Sequence, residues 1–457
     1  MNRISPNARG SVDTAPTVFF TVAGALLIAV LTYGLYLGLA VFSLRTDGTQ
    51  ISKKIAEGFA TGVLTENDYP EDASHTHNQF NDCLILFQAS SRNASTFQLA
   101  VSPETIHVGR DECRNLHVAV TKPDRQIPTI FYHNYIFGQA TLARLLLTVL
   151  PLKRAEHLWK LAIVFGLFLG LAAGMIDLVK SADKSGATAF LIVLFVFMSW
   201  YGLGSFDQSV SHSPSDLVLI GFIVFLSVAH VTGGIEARAA IIACAFFGAL
   251  TMIFELLTGG LPLGLCAVVG LVPLALREDT PGPLHRSVAL ASLSYFAAAM
   301  TCVLSKVILV ASFFDVKSVI AAGRELGARM ALARPIADPR VPSLFALLKS
   351  IKNNMGAMYA GQREMALTLL LTALVAGAWA IYSVRARTNT RSRTIIHFLG
   401  GSNLVLIAWV GLFSEHTFVH AFFMDRIFAW PIASGLAMFA LASFNSPARI
   451  NSVRDAV

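Results

Sequence analysis

The sequence predicts an all-α polytopic membrane protein of about ten transmembrane helices, with a small mixed subdomain in its first outer loop. Three observations lead there. Of 457 residues, 54% are hydrophobic and only 14% are charged, against roughly 25% charged in a soluble domain. Apolar stretches of about 20 residues, the length that crosses a bilayer as a helix, recur along the chain. Arginine and lysine gather in alternate short loops between them, as they do on the cytoplasmic side of membrane proteins.

The first apolar stretch, residues 18 to 42, reads as a transmembrane helix and not as a removable signal peptide. After a long polar segment come stretches at 158 to 178, 187 to 204, 216 to 232, 239 to 257, 262 to 276 and 288 to 313. A second polar segment precedes the last three, at 364 to 383, 396 to 413 and 420 to 443. The organisation is therefore a cytoplasmic tail and first helix (1–42), an extracytoplasmic loop (43–157), helices two to seven (158–313), a basic outer loop (314–363), and helices eight to ten with a tail (364–457). With the N-terminus inside, Arg3, Arg9, Lys180, Lys184, Arg238, Arg277, Arg286, Arg385, Arg387, Arg391, Arg393, Arg449 and Arg454 all fall on the inner side. Both termini are then cytoplasmic, and the long loops face out. The net charge of +7 follows from this topology, since the basic residues are spread over loops and not gathered as a nucleic-acid footprint.

The first outer loop is too apolar to be disordered. Leu84 to Phe87, Phe97 to Val101 and Leu116 to Val120 are short runs, read as strands or short helices. Residues 139 to 151 are too short to span and end in Lys153-Arg154, which predicts a helix lying in the interface. Residues 318 to 333 have a similar character, with Glu325 and Arg329 one turn apart. Cys83 and Cys113 share the loop and would bridge if it faces an oxidising compartment, although sequence does not supply their separation. Cys244, Cys266 and Cys302 lie in apolar stretches and read as small core residues.

The loop also concentrates carboxylates, imidazoles and amides. Asp68, Asp72 and Asp82 are candidates for a base at a dry interface, where burial raises a carboxylate pKa toward the working range. Asp82 leads because it opens directly onto an apolar run; its structural alternative is a cap or turn. Asp72, His75 and His77 are candidate ligands for a divalent cation, set against a solvated loop. Asp207 and His212 add polar groups at the same surface, where Ser215 or Asp216 would cap the following helix. Near the C-terminus, His416 and His420 are spaced to stack on one helix face. Arg426 is read roughly two turns inside a span, where it must pair with Asp425 or another helix, or else hold a ligand such as phosphate. Lys306 offers the same alternatives, with snorkelling as the plain one. The second outer loop carries Lys317, Arg324, Arg329, Arg334, Arg340, Lys349, Lys352 and Arg363. They point to an anionic ligand bound by guanidinium forks, or to lipid headgroups.

At Asn81-Asp82-Cys83-Leu84-Ile85-Leu86 the chain resembles a bacterial group of polytopic proteins with an Asp-Cys-Leu motif in the first outer loop and a tyrosine-framed motif before an interfacial helix. The second motif stands here as Tyr132-His133-Asn134-Tyr135. The resemblance continues at Phe254-Glu255-Leu256-Leu257-Thr258 with Leu261-Pro262-Leu263, and at His416 to His420 with Phe422-Phe423. The architecture is similar to that of the GT-C superfamily of membrane glycosyltransferases. That resemblance implies a catalytic aspartate in the first outer loop, Asp82 or else Asp68, and a polyprenyl-phosphate-linked sugar as donor. It also implies supporting roles for His133 and Tyr135.

The expectation is thus an inverting glycosyltransferase of the bacterial inner membrane, acting on its periplasmic or extracellular face. An outer-loop carboxylate activates a hydroxyl of a glycan or lipid acceptor, while Arg426, Lys306, Arg324 and Arg329 hold the donor phosphate. His416, His420 and Asp207 support the acceptor. No cofactor is required by this scheme, and a divalent metal is a candidate. Two alternatives are an O-antigen-type polysaccharide polymerase or ligase, which leans on arginine and histidine, and a lipid-linked glycan transporter or flippase. The latter calls for broken helices at mid-membrane, whereas Gly233-Gly234 and Gly259-Gly260 fall at span ends.

Overall fold

The computed structural model describes residues 14–68, 79–106, 111–122, 127–180, 184–205, 209–279, 283–330, 349, 363–384, 390–419 and 424–444. The protein is an all-α multi-pass membrane protein: eight of its described helices are long and apolar enough to cross a bilayer. They are α1 (Thr14–Ser43), α7 (Leu152–Lys180), α9 (Ser213–Val231), α10 (Ala237–Phe254), α12 (Leu284–Phe313), α14 (Arg363–Val384), α15 (Thr390–Leu412) and α17 (Ala429–Phe444, with the turn Asp425–Phe428 before it). Two further apolar helices, α8 (Ser185–Ser205) and α11 (Gly260–Ala275), complete the bundle, α8 qualifying only over Ser185–Ser199.

These helices exist because long apolar runs in lipid have no other way to satisfy their backbone. They approach closely where the sequence supplies glycine: a Cβ on Gly248 would meet the Tyr295 carbonyl oxygen at 2.2 Å, and one on Gly435 the Ala373 carbonyl oxygen at 2.3 Å. Small residues at such crossings bring α10 onto α12 and α14 onto α17.

Helix ends sort into two groups. At one end, His230 of α9 faces Asp177 of α7 at 3.3 Å and contacts the Leu274 carbonyl of α11 at 3.0 Å. Gly186 of α8 packs against the same ring. Ile235, before α10, bridges Leu276, and Arg391 of α15 donates to the Leu276 carbonyl at 2.5 Å. Lys180, Arg277 and Arg391 lie at this end. At the opposite end, the α8–α9 connection, the α10–α11 turn and the end of α15 meet the polar segment that follows α1.

That segment folds as α2 (Gly48–Ala60), α3 (Gln79–Ser90), α4 (Thr96–Val101), β1 (Glu104–Ile106), α5 (Glu112–Thr121), β2 (Thr129–Phe131) and α6 (Gly138–Val149). The apolar runs expected as strands or short helices are all helical, within α3, α4 and α5. The strands lie elsewhere, β1 pairing antiparallel with β2, with Thr105 opposite Ile130. Asp47 caps α2 by accepting from Thr49 N at 2.9 Å, and Ile51, Ile55 and Gly58 form its buried face at helical spacing. Almost every residue of α3 is buried. Helix α6 buries most of its face against α3 and α1, so its partner is protein more than lipid. By contrast α13 (Val316–Arg329) has no buried residue, and its Glu325–Arg329 pair is closed at 2.5 Å.

Cys83 of α3 and Cys113 of α5 are joined by a disulfide, their Cα atoms 5.0 Å apart. A bridge spanning 30 residues of sequence restricts the unfolded chain. Replacing both cysteines with alanine is expected to cost about 2–4 kcal/mol, read as a lower midpoint in thermal unfolding of the purified protein. An unchanged midpoint would show the staple to be dispensable.

Candidate functional site

The two groups singled out in the sequence, Asp82 and Arg426, are engaged by one stretch of chain at the same end of the bundle, Asp82 by Ser209 and Ser211 just before α9 and Arg426 by Asp216 in its first turn. Asp82 sits in the first turn of α3 and is 2% exposed. Its Oδ1 accepts from the backbone N–H of Ser211 at 2.9 Å and from Ser209 Oγ at 3.1 Å. Next to it, Asn81 Nδ2 lies 3.1 Å from His212 Nε2; an amide nitrogen only donates, so the ring accepts there. Burial pushes the Asp82 carboxyl up to about 7, with the Ser211 and Ser209 hydrogen bonds pulling the other way. His212 is driven the opposite way, well below the usual imidazole range, by burial and then by the positive charge of Arg426, so it stands neutral.

Four residues further, Asp216 in the first turn of α9 receives Arg426 Nη1 at 3.1 Å. Both side chains are buried. Arg426 is not two turns inside a helix, as the hydropathy suggested. It lies in a 3-10 turn that starts the last crossing, because Trp430-Pro431 places a proline in the first helical turn, where its missing N–H is not needed. The pairing with a neighbouring helix, one of those expected for it, is formed.

Glu255 completes the junction and was not among the sequence candidates. It follows α10 and is fully buried, close enough to Arg426 and Asp216 to feel both charges. Its Oε1 accepts from Thr258 N at 2.5 Å. The turn it opens is unusual: Leu257 has φ of 59° and Gly259 φ of 102°. A leucine in the left-handed region is sterically costly. The Leu257 carbonyl is held by His416 Nε2 at 2.9 Å, from the short helix α16 (Ser414–Val419). Only the spacing of Glu255 from the Gly259-Gly260 pair hinted at such a turn, and an acidic residue at a span end is too common a signal to stand out.

The remaining candidates are distributed differently from expectation. Asp68 caps α5 beside the disulfide: Oδ1 accepts from Cys113 N at 2.8 Å and Oδ2 from Glu112 N at 3.1 Å. Burial raises its pKa against those hydrogen bonds. Lys306 donates to the Val101 carbonyl, at the end of α4. Arg329 donates to Tyr135 Oη and, at 3.0 Å, to Tyr132 Oη, so it docks α13 on the tyrosine motif. Arg324 is exposed. The four basic residues expected around one phosphate therefore do not converge. Three of them are engaged by a carboxylate, a carbonyl and two phenols. His133 contacts Ser102 Oγ at 2.9 Å, and burial together with the charge of Lys306 lowers its pKa to about 4. Asp72, His75, His77, Asp207 and His420 lie outside the described residues or have side chains outside them. Among the described residues no cluster of histidine, cysteine and carboxylates fit for a metal ion occurs.

No protein-family model, no curated protein and no solved structure matches this chain.

Two outcomes follow from the geometry. Because Asp82 binds its proton more tightly folded than unfolded, the stability it contributes is present at low pH and is lost as pH rises through about 7. Asp82→Asn is therefore expected to gain in melting temperature relative to the parent as pH is raised from about 4 to about 7; a difference independent of pH would contradict the shift. Asp216→Asn and Arg426→Gln should each cost about 3–5 kcal/mol by leaving a buried charge uncompensated. The double variant should cost clearly less than the sum, and strict additivity in chemical unfolding would mean the pair contributes no coupling.

Proposed function

We propose that this protein is a membrane glycosyltransferase that moves a sugar from a polyprenyl-phosphate-linked donor to a glycan or lipid acceptor on the outer face of a bacterial inner membrane. The observation that carries the reading is Asp82: a buried carboxyl, raised to about 7, at the seam between the α2–α6 cap and the helix bundle. A group poised near neutrality is suited to take a proton from a hydroxyl and later release it. In the proposed step, Asp82 takes the acceptor's hydroxyl proton as that oxygen bonds to the anomeric carbon. The bond from that carbon to the phosphate oxygen breaks, and the polyprenyl phosphate leaves with the electron pair.

The outward placement draws support from two sources. A disulfide in the α2–α6 segment suits an oxidising compartment, and the arginines and lysines of the short connections lie at the other end of the bundle. On this view α8 and α11 also cross, giving about ten crossings in all, and α2–α6 form an extracytoplasmic subdomain. At 16 residues, α11 is about 24 Å long, short for a full hydrocarbon core but ending on polar turns at both sides. In this scheme Arg426 organises the carboxylates of the junction instead of holding the donor phosphate. Exposed Arg324 remains available for that anion.

A second reading, a polysaccharide polymerase or ligase joining lipid-linked glycans, is favoured by the gathering of His212, His416 and Arg426 in one layer. The paired glycines lie between α9 and α10 and at the start of α11, not inside a helix, which weighs against broken helices of the transporter kind.

Membranes containing Asp82→Asn should transfer radiolabelled sugar from a polyprenyl-phosphate donor about 100- to 10,000-fold more slowly, with the protein still folded; wild-type turnover would remove Asp82 from the mechanism. If instead Arg426→Lys loses all transfer while Asp82→Asn keeps it, the polymerase or ligase reading prevails. For orientation, a cysteine placed at exposed Glu57 should react with a membrane-impermeant maleimide in intact spheroplasts, and one at exposed Arg238 only after lysis. The reverse pattern would put the proposed site on the wrong side.

A further inference from the structure

Among the described residues of the junction, Glu255 carries a buried carboxylate oxygen that is left over. Its side chain is fully buried, Oε1 is taken by Thr258 N, the Gly259 N–H also acts on the carboxylate, and Oε2 has no hydrogen-bond partner among the described residues. Buried carboxylate oxygens are rarely left in this state, because losing water without gaining a donor is costly. Nor is the position an accident of loose packing. The turn is held with Leu257 and Gly259 in the left-handed region and is pinned from α16 by His416. Residue 260 is a glycine whose Cβ, were there one, would sit 2.1 Å from Glu255 Oε2 and 3.0 Å from Ser215 Oγ. The sequence thus supplies a glycine where any side chain would displace that oxygen. Asp216 and Arg426 stand near enough to act on it electrostatically, and Asp216 is already engaged by the arginine.

We infer that Glu255 Oε2 is a substrate-binding acceptor that takes a hydrogen bond from a hydroxyl group of the sugar carried by the donor, with Ser215 beside it and the Arg426–Asp216 pair positioning the carboxylate. A hydroxyl fits where an anion would not: a phosphate placed there would face the negative charges of Glu255 and Asp216 with an arginine already committed to one of them. This inference rests on the transferase reading for the identity of the ligand, though not for the open oxygen itself.

The test uses the full-length protein in lipid nanodiscs and a hydrophobic carbodiimide, which adds to carboxyl groups in apolar surroundings, with the adduct located by peptide mass spectrometry. Glu255 should be labelled at least tenfold more than Asp216. A polyprenyl-phosphate-linked hexose should slow that labelling at least tenfold, while polyprenyl phosphate without the sugar should not. An unlabelled Glu255, or equal protection by the sugar-free lipid, overturns the inference. In the transfer assay, Glu255→Gln should raise KM for the donor at least tenfold and change kcat less than threefold, because the amide keeps the shape but offers a donor where an acceptor is needed. Unchanged constants would also overturn it. Should the parent protein transfer no sugar and yet be protected by the hexose lipid, the transferase reading falls and the assignment of Glu255 stands.

Discussion

The structure depends on satisfying helix ends that are buried. Each α-helix leaves its first N–H groups and last carbonyls without intrahelical partners, and here the cap of α2–α6 seats several such ends against the bundle and away from water. The chain answers with long cations. Arg144 donates to the Gln88 and Ala89 carbonyls that end α3, and to Ser43 Oγ at the end of α1. Arg92 reaches the Leu44 and Thr46 carbonyls just beyond α1. Lys54 reaches the Thr148 carbonyl of α6, and Lys306 the Val101 carbonyl of α4. A positive charge at a helix C-terminus also meets the negative end of the macrodipole, so Arg144 can be 3% exposed with helix carbonyls facing its guanidinium.

The same need explains the acids. Asp68 serves the first N–H groups of α5 and Glu255 the turn that leads into α11. Asp82 differs, because its hydrogen bonds run between separate parts of the fold: a residue of the cap accepts from the connection that enters α9. That makes the seam between cap and bundle depend on one carboxyl whose charge changes near neutrality. Burial raises Glu255 to the same region, but its hydrogen bond stays within one turn. A seam acid near 7 couples the docking of the cap to the protonation of that carboxyl.

This account also decides what the sequence could and could not reveal. The multi-pass helical class was legible, because apolar length and the one-sidedness of arginine and lysine are properties of composition along the chain. The Cys83–Cys113 pairing was legible only as a conditional, since it needed a distance. Asp82 could be picked out because an acid directly before a buried apolar run is conspicuous. The basic residues misled for a physical reason. From sequence, a buried arginine looks as if it wants an anion, yet helix carbonyls, phenols and a carboxylate on another helix satisfy it equally well, and these partners come from positions such as Gln88, Tyr132 and Asp216 that no spacing connects to it. Glu255 was invisible for the converse reason. Its interest lies in an oxygen with nothing bound, and absence of a partner has no sequence pattern.

Charge balance at the junction gives the last step. Asp216 and Glu255 both face Arg426, with neutral His212 alongside, so the described groups hold more potential negative charge than positive. Burial tolerates such an imbalance in two ways: a proton is retained on one carboxyl, or a donor from outside is bound. Asp216 has its guanidinium and Asp82 its serines, while Glu255 keeps an oxygen with no donor among the described residues, on which either remedy can act. A hydroxyl hydrogen supplies the second without adding net charge to a region that has little water to screen it. On the reading proposed above, the arrangement suits a neutral, hydroxyl-rich group in the junction, with any phosphate it carries held outside.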